Sequence, residues 1–178
     1  MKTRNLVYLS LVFYSISALI GYSFYSTSME ALKNNRIIDN TKAGSFISIL
    51  NNNLPIILLI ALGSFIFSLT TVKILTFNGV ILGSLLKHAV ENDRITYFMF
   101  AVIPHAIFEI PAIIIAGAAG FKIPYEIIRY LAGRKEQILT KEDIKEYLTL
   151  ALISIILIVI AAFVEAYVTP RIAEYFLR

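Results

Sequence analysis

The chain has no cysteine, no tryptophan and only two histidines among its 178 residues. Without cysteine there is no disulfide, no thiolate metal site and no cysteine nucleophile, and the redox compartment leaves no trace in the sequence. Charge is sparse too. Charged residues make up 16% of the chain, where a soluble domain carries about 25%. Apolar residues fill the gap, at 58% hydrophobic and a mean hydropathy of +0.76. This composition describes an all-α, polytopic transmembrane bundle. A spanning helix uses about 20 residues, which leaves only short loops and a single integral membrane domain over 1–178. The net charge of +4 does not point to nucleic acid, because Lys and Arg flank apolar segments instead of forming one basic patch. The lipid bilayer is the partner that composition implies.

Five apolar segments are expected: Leu6 to Tyr25, Phe46 to Leu69, Val72 to His88, Thr96 to Phe121 and Tyr147 to Val168. The first follows Lys2 and Arg4 like a signal peptide. It is nevertheless longer than an h-region of about 15 residues and rich in Tyr and Phe, so it reads as a retained helix. The third, bounded by Lys73 and His88, is short enough to be either a span or a re-entrant half-helix. With five spans, Lys and Arg divide nine to seven in favour of a cytoplasmic N-terminus; a re-entrant third segment reverses the preference. The segment 122–146 is the largest polar loop, with room for a short amphipathic helix. Within it, Thr140 is placed to cap a helix with Asp143 at N3. A second short amphipathic element is expected between Thr27 and Ser45.

Ionisable residues inside apolar spans are costly unless paired, protonated or wetted, so they are functional candidates. His105 and Glu109 meet that description. Four residues apart, they share one helical face, and the flanking Pro104 and Pro111 remove or displace backbone hydrogen bonds and favour a kink or break. Three readings stand for the pair: a structural ion pair or hydrogen bond reaching another helix, a half-site for a divalent metal such as zinc, or an ion or proton relay. A third metal ligand would have to come from elsewhere, and Glu165 in the final span is the obvious candidate. If the last span ends near Val168, Glu165 lies about 15 Å from the depth of Glu109, and pairing with Arg171 is then the simpler reading. Convergence would need the last helix to run past Pro170 or the fourth to be broken.

Two stripes of small residues suggest close helix packing. Gly79 and Gly83 follow Asn78 in the third segment, and Ala112, Ala116 and Gly120 follow Glu109 in the fourth. They would pack those two segments together or form a homodimer seam. Asn78 would donate into the Glu109 network or bond a neighbouring helix.

The block Pro104-His105-Ala106-Ile107-Phe108-Glu109-Ile110-Pro111-Ala112 with its Ala-Gly-Ala-Ala-Gly sequel resembles the signature of the stage II sporulation protein M family of membrane proteins. Phe77-Asn78-Gly79 and Phe163-Val164-Glu165 through Pro170 fit the same pattern, although that family often has Gly at the position of Ala106. The resemblance implies a membrane anchor and scaffold. In endospore formers the family member assembles with peptidoglycan-degrading partners, and relatives occur outside spore formers. Other membrane or envelope proteins are the partners it implies. The sequence shows no His-Glu-x-x-His or nucleophile-elbow motif, so the expectation is a non-enzyme without a resident cofactor.

Overall fold

A computed structural model describes residues 3–25 and 44–177; most of the element expected between Thr27 and Ser45 lies outside the described residues. The described residues form helices α1 (Thr3–Ser23), α2 (Phe46–Leu62), α3 (Leu69–Glu91), α4 (Ile95–Ala101), α5 (Ile103–Leu131), α6 (Lys141–Phe163) and α7 (Thr169–Phe176). A 3₁₀ turn, Gly63–Ile66, ends α2, and a π-helical turn, Val164–Val168, joins α6 to α7. Five helical units are long and apolar enough to cross a membrane: α1, α2 with its 3₁₀ turn, α3, α5, and α6 through α7.

Helix α1 buries Leu6, Ser10, Tyr14, Ser17 and Gly21, a single face at three- and four-residue spacing. From Tyr14 to Gly21 that face lies on α3, which answers with Gly79, Gly83 and Ser84, while Ser10 meets Gly117 of α5. Helix α5 is buried all round from Ala112 to Gly120, apart from Ile115, as befits the central helix of the bundle. Its principal neighbours are α1, α2 and α6. Ile57, Ile60, Leu75, Ala112, Ala116 and Ile158 fill the core between these helices.

Two expectations change. The third segment is neither short nor re-entrant: Leu69–Glu91 is a full helix of 23 residues, because Thr70, Thr71 and Lys73 are accommodated within it. The stretch 122–146 is not one polar loop with its own short helix. Residues 122–131 continue α5, and a connection of nine residues leads to α6, which Thr140 and Asp143 start with the expected capping box. The break expected in the fourth segment falls at Val102, so that Pro104 sits in the first turn of α5, while Pro111 lies inside a helix that runs on without interruption.

Candidate functional site

The chain alternates direction through the bundle, and its ionisable residues gather at two levels. At the end where α1 and α6 begin and α5 finishes, Lys122 donates to Glu126 Oε1 at 2.9 Å and to Glu146 Oε2 at 2.7 Å, and lies 3.2 Å from Asp143 Oδ1. Lys135, from the α5–α6 connection, donates to Glu126 Oε2 at 3.1 Å and also pairs with Asp143. Arg129 reaches Glu126 at 3.0 Å, and Thr3 of α1 donates to Glu146 at 2.6 Å. Three cations thus meet three carboxylates across α1, α5, α6 and the connection, with Lys122 and Glu126 3% and 1% exposed. Burial pulls the Lys135 ammonium down, but its hydrogen bonds to Asp143 and Glu126 outweigh that and hold it above the usual lysine value. This clasp is balanced in charge and satisfied in hydrogen bonding. Sequence reasoning misses it because 122–146 reads as a solvated loop, although Lys122 and Glu126 at i, i+4 and Arg129 at i+3 from Glu126 carry the signal.

The second level holds the residues singled out from sequence. His105 stands in the first turn of α5, half-buried, with Nδ1 3.4 Å from Thr169 Oγ1 at the start of α7. It makes no ion pair with Glu109, one turn along the same helix. Glu109 instead lies in the field of Glu165, and Tyr14 of α1 lies in the field of Glu109. Neither Glu109 nor Glu165 has a Lys or Arg ion-pair partner among the described residues, and Glu165 is not bridged to Arg171.

Depth explains the convergence. Lys122 and Glu146 touch, which sets a common level on the antiparallel α5 and α6. From there His105 is about 26 Å along α5, Glu109 about 20 Å and Glu165 about 28 Å along α6, so that Glu165 stands level with His105 and about a turn and a half beyond Glu109. The mismatch expected from sequence shrinks to about 8 Å because the last helix runs past Pro170 to Phe176, through a π turn that carries Glu165. Still, among the described residues no group of three His, Asp or Glu side chains is arranged to hold a metal ion.

The other candidates do different work from that expected. Asn78 donates to the Ile74 carbonyl of its own helix at 2.9 Å and not into the Glu109 network. Gly79 and Gly83 meet α1: an added Cβ would stand 2.7 Å from the Tyr14 carbonyl oxygen and 1.9 Å from that of Ala18. They therefore seat α3 on the first helix, not on the fourth segment or on a second copy. Gly120 does approach the third segment, with Thr71 Oγ1 and the Ile60 carbonyl crowding its Cα, while Ala112 and Ala116 are fully buried in the core. His88 Nδ1 lies 2.6 Å from the Tyr25 hydroxyl.

These features define an all-α bundle with five helices of membrane-spanning length and composition, closed at one end by an ionic clasp. The family model of stage II sporulation protein M matches residues 10–170, and the chain belongs to that family. It is 43% identical over 175 residues to uncharacterized protein MJ0793 of Methanocaldococcus jannaschii, covering 96% of this chain and 97% of that protein. It is 27% identical over 175 residues to uncharacterized protein MJ0706 of the same organism, covering 95% and 77%. No solved structure matches the chain.

Proposed function

We propose that the protein is a multi-pass cell-membrane scaffold that assembles other membrane or envelope proteins, its chemistry being supplied by those partners. The clasp carries this reading. A network of three cations and three carboxylates fixes the connection between α5 and α6 and the start of α1 in one geometry, giving partners a rigid extramembrane platform. Rigid elements cost less ordering entropy on association than mobile ones. The nine-to-seven division of Lys and Arg, which applies once the third segment is a full span, favours a cytoplasmic location for the clasp. The test is native electrophoresis of tagged protein from its own membranes, alone and with residues 134–139 replaced by a Gly-Ser linker. The scaffold reading expects a species larger than the purified chain that collapses on loop replacement; a species equal in size to the purified chain overturns it.

A second reading is favoured by two acids within the apolar helices, Glu109 and Glu165, neither with a Lys or Arg ion-pair partner among the described residues. Carboxylates in an apolar span would take up a proton or a cation in turn, and relay of that ion would be the activity. In this reading Glu109→Gln leaves assembly intact and abolishes ion flux in reconstituted vesicles. Under the scaffold reading it lowers stability or assembly and there is no flux to lose. Metal analysis of purified wild type and His105→Ala separates a further case, an intramembrane metalloenzyme, which requires stoichiometric metal lost in the variant.

A further inference from the structure

The connection between α2 and α3 is unlike a loop that enters water. No charged residue occurs between Lys42 and Lys73, and the turn presents Phe65, Ile66, Phe67 and Leu69, which are 67, 52, 65 and 73% exposed. Loops that leave a membrane are polar, because their backbone and side chains are solvated by water. Here the side-chain hydroxyls of the turn point inward. Ser64 Oγ donates to the Ala119 carbonyl at 2.6 Å, Ser68 Oγ to that of Gly120 at 2.7 Å, and Thr71 Oγ1 to that of Ile60 at 2.7 Å. The Ser68 amide donates to the Gly63 carbonyl at 2.8 Å. Phe67 and Ser68 take the left-handed backbone, with φ of 49° and 62°, a strained choice for side chains other than glycine that reverses the chain in the fewest residues. Internal satisfaction of polar groups with an apolar exterior is what hydrocarbon demands of a backbone.

The level of the tip agrees. Ser68 is anchored to Gly120, and Lys122, where the charged clasp begins, lies two residues, about 3 Å, further along α5. Phe65 meets the ring of Tyr147 edge-on at 6.2 Å between centroids, next to the clasp residue Glu146. Leu58, Leu59 and Leu62, on the part of α2 that leads into the tip, are exposed as well.

We infer that the α2–α3 tip is a lipid-binding element that stays at the acyl–headgroup boundary of the leaflet on the clasp side and never enters water. The inference rests on the multi-pass reading, and its occupant is membrane lipid. The chain's lack of Cys and Trp makes single reporters unambiguous. In the intact protein reconstituted into phosphatidylglycerol–phosphatidylcholine vesicles, Leu69→Cys is challenged with a membrane-impermeant maleimide from both sides, with Gln137→Cys in the α5–α6 connection as control. Phe65→Trp is read by quenching with lipids brominated near the headgroup. The expected result is that Gln137→Cys labels, Leu69→Cys labels at least tenfold more slowly in vesicles but fully after denaturation in detergent, and Phe65→Trp is quenched by shallow bromines. Labelling of Leu69→Cys as fast as Gln137→Cys places the tip in water and overturns the inference. Protection without quenching shows a protein occupant and also overturns it. Failure of the protein to co-float with the vesicles would instead sink the multi-pass reading.

Discussion

Lys122 and Glu126 lie one turn apart on α5, joined at 2.9 Å and almost wholly withdrawn from solvent. Such a pair is costly to bury and costlier to break, since removing one partner strands the other charge. Lys122→Met is expected to destabilise the bundle by about 3–5 kcal/mol. Glu146 is half-exposed, and Glu146→Gln should cost about 1 kcal/mol or less. Thermal unfolding in detergent checks the order; equal losses for both variants would show that burial does not set the strength of the clasp.

The same network sets an alkaline limit. Lys135 is held above its ordinary pKa in the folded protein, so its contribution is fully present below the unfolded lysine value of about 10.4 and is lost as pH rises through the folded one. Melting temperature followed from pH 8 to pH 12 should fall above about pH 10. Lys135→Met should start lower and lose that part of the fall; an unchanged alkaline slope in the variant would assign the effect to other groups.

The α1–α3 contact predicts a backbone-level intolerance. An alanine Cβ at Gly83 would meet the Ala18 carbonyl at 1.9 Å and the Tyr22 amide nitrogen at 2.8 Å, neither of which can swing aside like a side chain. Gly83→Ala should therefore cost about 1–3 kcal/mol despite alanine's better helix propensity. Unfolding of the variant in detergent, compared with wild type, measures it, and a gain in stability would show that α1 can shift outward at little cost.

How much of this is legible in the sequence follows from the range of each interaction. The five apolar segments, the capping box of Thr140 and Asp143 and the restart of the helix at Pro104 are local features, and the residues that make them are neighbours in the chain. The packing partner of Gly79 and Gly83 is not, because a small-residue stripe shows that something approaches closely without saying what. Sequence spacing puts Glu165 at the wrong depth for a similar reason. Pro170 reads as a helix terminator, yet in the first turn after the π turn its missing N–H costs little and the helix goes on.

That π turn also sets the facing of α7. A π turn adds one residue to a helical turn, so deleting Ala166 should restore an α-helix and rotate all that follows by about 100°. Thr169 would then leave His105, and Phe176 would leave Phe100, with which it stacks at 4.4 Å between ring centroids and 4° between planes. In a chain without native cysteine, Phe100→Cys with Phe176→Cys reports the register directly. Oxidation or a short bismaleimide should join the pair in the otherwise native protein and fail to join it in the Ala166 deletion. Equal cross-linking in both would mean that contacts between α4 and α7, and not the π turn, decide which face of the last helix looks toward His105.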